Sequence, residues 1–98
     1  MNPKEREQPP LFQSGQILAT PGALHAFQEA NQSPDEFLAR HLKGDWGDLD
    51  DEDKQENELS LKHGFRLLSA YRLTTGAKMW VITEADRSAT TLLLPEEY

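Results

Sequence analysis

The sequence predicts an α+β fold in which about three helices pack on one face of a three- to four-stranded, mainly antiparallel sheet. Apolar residues recur at helical spacing in the first two thirds of the chain, whereas from Phe65 onward they alternate as in a C-terminal β-meander. The 98 residues, of which 37% are hydrophobic, suffice for a single core. We therefore predict a flexible arm over residues 1–14 and one domain over residues 15–98.

Two short segments open the domain. Residues 16–19 are predicted to form a strand, and residues 21–31 the first helix. Thr20 takes the N-cap position of this helix and Pro21 its first helical position, where a missing N–H loses no hydrogen bond. The apolar side chains of the helix share one side, and His25 points to the other.

Two further helices follow before the strands. Ser33 is predicted to cap the second helix and to form a capping box with Glu36, and Gly44 ends it. Asp50 or Asp48 caps the third. Because the third helix contains few apolar residues, we expect it to lie at the surface.

Three strands are predicted over residues 65–73, 77–84 and 89–94. Thr74-Thr75-Gly76 fits a three-residue hairpin turn with Gly76 in the left-handed conformation, and residues 86–88 form the next turn. The hairpin turn sets four cross-strand pairs: Leu73 with Ala77, Tyr71 with Met79, Ser69 with Val81, and Leu67 with Thr83.

This register divides the strands between a core face and a second face. The core face carries Phe65, Leu67, Tyr71, Leu73, Met79, Val81, Leu92 and Leu94. The second face carries Arg66, Leu68, Ala70, Arg72, Lys78, Trp80, Ile82, Glu84 and Leu93. We expect Arg66 to form an ion pair with Glu84 across the strands. Because Leu68, Trp80 and Ile82 are apolar, we expect the N-terminal segment, a second copy or a partner to cover the second face.

The net charge of −7 is concentrated in residues 45–58, the acidic segment. The rest of the chain holds nine acids and nine bases. Carboxylates in the first turn of a helix are favoured by its dipole, which explains part of the run without any function. The same charges suit docking to a basic partner and disfavour direct binding to nucleic acid. The segment contains one base, Lys54, and eight acids: Asp45, Asp48, Asp50, Asp51, Glu52, Asp53, Glu56 and Glu58.

Several classes of protein are disfavoured by what the sequence lacks. There is no cysteine for a disulfide or a thiolate metal site, and no apolar run long enough for a membrane span, so we expect a cytoplasmic protein. Asp48, Asp50 and Glu52 alternate but lack the glycine of a calcium loop. No two histidines have metal-ligand spacing, and phosphate-binding and dinucleotide-binding glycine motifs are absent. We expect neither a metal nor a cofactor.

The three histidines have different predicted surroundings. His41 falls within the apolar arc of the second helix, so it should be buried and needs a hydrogen-bond partner, for which Asp45 is available. His41 is then either a structural residue that holds the loop at residues 44–47 or a general base oriented by a carboxylate. His25 is expected to be exposed, and His63 to lie at a helix C-terminus.

Four stretches have distinctive amino-acid sequences: Ala-Thr-Pro-Gly-Ala-Leu at residues 19–24, Gly-Asp-Trp-Gly-Asp-Leu at 44–49, Ile-Thr-Glu-Ala-Asp-Arg-Ser at 82–88, and Leu-Pro-Glu-Glu-Tyr at 94–98. Together with Glu52, Asp53 and Asn57, they resemble a family of short bacterial proteins often described as plasmid-related or hypothetical. The resemblance covers nearly everything after residue 16. It implies a setting among mobile elements and carries over no catalytic or binding residue.

The first functional hypothesis is a non-enzymatic protein-interaction module. An exposed Trp46 between two glycines would anchor a protein partner that is basic or itself binds nucleic acid. A homodimer through the second face is also compatible with the pattern. The expected contact residues are Asp45, Trp46, Asp48, Asp50 and Asp51.

The alternative is a small metal-independent ribonuclease or a toxin-like RNA-binding protein. His41 or His63 would serve as acid or base, and arginines including Arg87 would stabilise phosphate charge. Because His41 points into the core and the strand arginines lie on the second face, the pattern favours a protein without enzymatic activity. The nucleic-acid face would consist of Arg66, Arg72, Lys78 and Trp80.

Overall fold

The computed structural model describes residues 9–98 and has the predicted α+β architecture, with three helices and a four-stranded sheet. The predicted strand at residues 16–19 is confirmed, and the other boundaries shift by one or two residues. In chain order the elements are β1 (Gln16–Ala19), α1 (Pro21–Ala30), α2 (Pro34–Leu42), α3 (Asp51–His63), β2 (Leu67–Arg72), β3 (Lys78–Thr83), β4 (Ala89–Leu93) and a 3-10 turn (Pro95–Glu97).

The sheet has the strand order β1-β4-β3-β2. β1 runs parallel to β4, and the other two pairs are antiparallel. The predicted hairpin register is confirmed, with Tyr71 opposite Met79 and Ser69 opposite Val81. Gly76 has a φ of +93°, so it provides the left-handed residue that this turn requires.

Side-chain caps begin each helix as the sequence indicates. Asp50, rather than Asp48, caps α3. The predicted capping box at α2 is not formed, because the carboxylate of Glu36 accepts a hydrogen bond from the Gln32 side chain instead. Each cap accepts a backbone N–H: Thr20 that of Ala23, Ser33 that of Asp35, and Asp50 that of Asp53.

The main core lies between the sheet and the first two helices. Phe65 was predicted to join it, but this residue is 59% exposed because β2 begins only at Leu67. Leu94 is half-buried at the margin. The core consists of Ala23, Phe27 and Ala30 from α1, Phe37 from α2, and Tyr71, Leu73, Met79, Val81 and Leu92 from the sheet and its hairpin.

The C-terminal segment contributes to the cover of the second face, a role that the sequence did not indicate. Ile82 and Leu93 are buried, and the ring of Tyr98 lies edge-on to Trp80, with 5.7 Å between ring centroids. Glu97 fastens this segment by accepting a hydrogen bond from the Thr20 hydroxyl at 2.6 Å. The predicted homodimer through this face stays a prediction.

The outer edge of β2 is covered by other parts of the chain. The N–H of Ala70 donates to the C=O of Trp46 at 3.1 Å, and the N–H of Asp48 donates to the C=O of Ala70 at 2.6 Å. The Asn57 side chain accepts from the N–H of Leu68 and donates to its C=O. These bonds satisfy backbone groups that an open edge would offer to another strand.

Part of the predicted N-terminal arm packs against the domain. The first eight residues of the arm lie outside the described residues. The N–H of Leu11 donates to the C=O of Leu42 at 2.9 Å, and the ring of Phe12 stacks on Trp46 with 6.3 Å between centroids. The segment that leads into β1 is therefore held against α2 and the loop after it.

Gly47 and Gly64 offer a matched test of the β2 edge. Both have left-handed backbones, with φ of +76° and +73°, but a Cβ at Gly47 would clash with the C=O oxygen of Ala70, whereas one at Gly64 would meet open space. We expect Gly64→Ala to lower the free energy of unfolding by about 1–2 kcal/mol, the cost of a left-handed alanine. Gly47→Ala should lower the free energy of unfolding by clearly more, because the added methyl group also forces residues 46–48 away from the edge of β2. Urea denaturation measures both, and equal losses would contradict this account.

Candidate functional site

A buried chain of hydrogen bonds crosses the sheet beneath α2. The His41 ring lies between the hydroxyls of Ser69 on β2 and Thr83 on β3, with Nδ1 at 2.5 Å from the first and Nε2 at 2.9 Å from the second. Thr83 contacts Thr90 on β4 at 2.7 Å, and Thr90 reaches the C=O of Ser14 at 2.8 Å. The chain therefore joins α2, three strands and the N-terminal segment.

The direction of each hydrogen bond in this chain follows from its last acceptor. The carbonyl of Ser14 can only accept, so the Thr90 hydroxyl donates to it. Thr83 then donates to Thr90, and the Nε2–H of His41 donates to Thr83. Nδ1 is left unprotonated and accepts from the Ser69 hydroxyl. His41 is thus the neutral Nε2–H tautomer.

The position of His41 corrects two expectations from the sequence. Asp45 is not its partner, because Asp45 lies at the surface and bonds to the side chain of Arg40 at 2.7 Å. A serine bonded to an unprotonated imidazole nitrogen is an arrangement that can activate a nucleophile. However, Ser69 and His41 have no solvent-exposed surface, so no substrate can reach them. The histidine has a structural role: its hydrogen bonds hold β2 and β3 together, and its side-chain contact with the loop at residues 44–47 is the packing of its ring against Trp46.

The pKa values of His41, Tyr71 and Asp45 are shifted by their surroundings. Burial lowers the pKa of His41 to about 4, and the positive charge of Arg87 adds to this effect. Burial raises the pKa of Tyr71 to about 12, and its hydroxyl donates to the C=O of Asp45 at 2.6 Å. The hydrogen bond from Arg40 lowers the pKa of Asp45.

Trp46 is buried, which contradicts its predicted exposure as an anchor for a partner. Its Nε1–H donates to the carboxylate of Glu58 at 2.9 Å, and its ring packs against Phe12 and His41. The reason lies in long-range pairing, because the strand-like contact of Gly47 with Ala70 draws the loop onto β2.

The arginines do not converge on a histidine. Arg66 lies over the ring of Tyr98 and bonds to its hydroxyl, so the predicted ion pair with Glu84 is not formed. Arg87 donates to backbone carbonyls, among them those of Ser60 at 3.0 Å and Phe65 at 2.7 Å, instead of pairing with a neighbouring carboxylate. In the described residues, the arrangement that the ribonuclease hypothesis requires is not present.

A groove of about 350 Å³ brings together residues from both functional hypotheses. Asp48 and Asp50 come from the acidic segment, and Arg72, Lys78 and Trp80 from the second face. Three other predicted residues lie outside the groove. Asp51 is exposed on α3, His63 is exposed at its end, and Arg66 lines a separate cavity of about 280 Å³ that also contains Glu84 and Tyr98.

Asp53 is a groove residue that the sequence reasoning did not place among the contacts. Asp50 is the N-cap of α3 and Asp53 lies three residues later in its first turn, so the two lie on the same side of the helix start, and this spacing could have identified Asp53. Leu49, Ala70 and Tyr71 complete the lining.

In the described structure the charges of the groove are not neutralised by ion pairs, although Arg72 donates to the C=O of Gly76 and Asp50 accepts from the N–H of Asp53. Arg72 and Lys78 are directly opposite each other across β2 and β3, a like-charge pair that destabilises a sheet. Within residues 9–98, the ion pairs closer than 4.0 Å are His25 with Glu29 and Arg40 with Asp45, so neither groove cation is paired with a groove acid. The groove thus offers carboxylates, cations and the half-buried indole of Trp80.

Across residues 9–98, no group of three or more histidine, aspartate or glutamate side chains is arranged to hold a metal ion. None of the helices described is both long and apolar enough to cross a bilayer.

No protein-family model, curated protein or solved structure matches this chain. The resemblance to plasmid-related bacterial proteins stays a prediction.

The buried histidine makes stability depend on pH. The pKa of His41 falls from 6.5 in the unfolded chain to about 4 in the folded one, so between these pH values the unfolded chain binds more protons than the folded one, and stability decreases as the pH falls. We expect the free energy of unfolding to drop by roughly 3 kcal/mol as the pH falls from 7 to 4, with His41 as the main contributor above pH 5. Urea denaturation across this range measures the drop.

His41→Gln and His25→Gln provide the controls for this pH dependence. The His41 variant should be less stable at pH 7 but should lack most of the decline between pH 6.5 and pH 5. His25 is exposed on α1, so its variant should behave like the parent. An undiminished decline in the His41 variant would show that other groups cause it.

Proposed function

We propose that this protein is a small interaction module that binds a basic segment of a partner protein in the groove between the acidic segment and the second face. The observation that carries the proposal is the meeting of Trp80 with Asp48, Asp50 and Asp53 in one concave site. Trp80 thereby takes the anchoring role first assigned to Trp46. No covalent chemistry is required of the site.

The distribution of charge supports a basic partner. All of the excess negative charge lies in the acidic segment, which includes one side of the groove. Such a field accelerates the approach of a positively charged surface and orients it before contact. Asp51 and Glu52 are exposed beside the groove and extend that field.

The groove also restricts which basic segments fit. A lysine or arginine side chain of the partner would lie against Asp48 and Asp53, and an apolar neighbour would pack on the indole of Trp80. Arg72 and Lys78 at the other side favour a segment that also carries an acidic group or a free carboxylate. A segment of uniformly positive charge would meet these two cations unfavourably.

The same arrangement disfavours RNA. Arg72, Lys78 and Trp80 would suit a nucleic-acid strand on their own, but three carboxylates share their groove and repel phosphate. Arg66, the fourth residue of the predicted nucleic-acid face, lines a different cavity. We therefore do not propose RNA cleavage.

Two double variants with equal changes in charge test the proposal. Asp48→Asn with Asp53→Asn removes two carboxylates from the groove, whereas Asp51→Asn with Glu52→Gln removes two from the same segment outside it. Each tagged protein is incubated with a nuclease-treated bacterial lysate, and retained proteins are quantified by mass spectrometry. We expect the groove variant to lose a partner that the control retains, by about tenfold for each 1.4 kcal/mol of lost binding energy.

Trp80→Leu extends the test to the aromatic side chain. We expect the same partner to be lost, while urea denaturation identifies any general loss of folding. Retention should also fall as salt is added, because the attraction is between charges near the surface. Equal retention by both double variants would contradict the proposal, and so would recovery of RNA without a protein partner from a parallel lysate that was not treated with nuclease.

A further inference from the structure

The outer edge of β1 has backbone groups without partners in the described structure. The N–H of Gln16 donates to the C=O of Ser88, and the N–H of Thr20 donates to the C=O of Leu92. Residues alternate in direction along a strand, so the N–H and C=O groups of Ile17 and Ala19 point away from the sheet. β1 is an edge strand, which makes these groups available to another strand.

The two edges of the sheet differ in whether other parts of the chain cover them. The β2 edge is covered by backbone pairing with residues 46–48 and by the Asn57 side chain. β1 contains no charge, proline or bulge that would discourage pairing. Its central residues, Ile17 and Leu18, are 44% and 42% exposed.

We infer that β1 pairs with β1 of a second copy of this chain, in an antiparallel arrangement about a two-fold axis at Leu18. In this register Ile17 of each copy exchanges both backbone hydrogen bonds with Ala19 of the other, so all of the outward-facing groups are satisfied. The two Leu18 side chains then lie directly opposite each other. The result is one continuous eight-stranded sheet.

The charge distribution favours a second copy as the occupant. The acidic segment lies against β2, at the far end of the strand order from β1. Two copies joined through β1 therefore keep their acidic segments at opposite ends of the combined sheet, where salt screens their repulsion. Association through any surface beside the acidic segment would bring the two sets of carboxylates together.

The β1–β1 contact is short, so we expect the two copies to associate weakly. β1 has four residues, and the adjoining exposed apolar side chains are few, so the interface is smaller than the 1,200–2,000 Å² or so of a stable complex. We expect a reversible dimer that forms in the range of about 1 µM to 1 mM. The dimer leaves the groove accessible and does not depend on the proposed function.

Disulfide trapping tests the register, because the chain has no cysteine of its own. Opposed residues of a non-hydrogen-bonded pair have Cα atoms about 4.5 Å apart, within reach of a disulfide. Leu18→Cys should therefore form a covalent dimer on mild oxidation. Ile17→Cys should not, since the two copies of that residue are diagonal neighbours about 7–8 Å apart. Leu59→Cys, on an exposed side chain of α3, measures random collision.

Sedimentation velocity of the unmodified chain and of two lysine variants tests the dimer itself. Leu18→Lys places two like charges opposite each other and should give a monomer at all concentrations. Leu59→Lys makes the same change at an exposed position of α3 and should leave the dimer intact. A parent chain that stays monomeric up to about 1 mM overturns the inference. Equal cross-linking of the Leu18 and Leu59 cysteines, or a dimer insensitive to Leu18→Lys, overturns it as well.

Discussion

The buried hydrogen-bond chain through His41 is the constraint on which the rest of the structure depends. Its hydroxyls come from Ser69, Thr83 and Thr90 on three adjacent strands, and its last acceptor is the carbonyl of Ser14. A slip of one residue in any of these strands would turn a hydroxyl to the second face and leave a buried polar group without a partner. The chain therefore selects one register for the sheet and one position for α2 upon it.

This position of α2 also determines where the groove lies. The turn that follows α2 brings the chain to the edge of β2, where the backbones of Trp46 and Asp48 pair with the backbone of Ala70. Gly47 lies between them with a positive φ, and a side chain there would strike that strand. Asp50 then starts α3, so the first-turn carboxylates lie next to the second face. The position of the groove therefore depends on the packing of His41, a residue that does not line it.

Local signals in the sequence predicted most of the fold, whereas the candidate site depended on contacts that they do not contain. Caps such as Thr20 and the Gly76 turn act over a few residues, so their effect is visible in the sequence. The burial of Trp46 depends on a strand 24 positions away, and no local pattern records that pairing. One signal was available: the predicted register placed Ser69 and Thr83 on the core side, where the inward-facing His41 needs hydroxyl partners.

The acidic segment can now be divided by what its carboxylates do. Asp45, Asp50 and Glu58 have roles in folding, as partner of Arg40, helix cap and acceptor from Trp46. The helix dipole favours further acids in the first turn of α3, by about 0.3–1 kcal/mol each. It does not account for Asp48, which precedes the helix, or for the placement of these acids beside two unpaired cations and an indole. α3 contributes to stability through Asn57 and Glu58, which face β2 and Trp46, and neither contact requires carboxylates beside Arg72 and Lys78. The basic partner that we propose is the ligand that would use this arrangement.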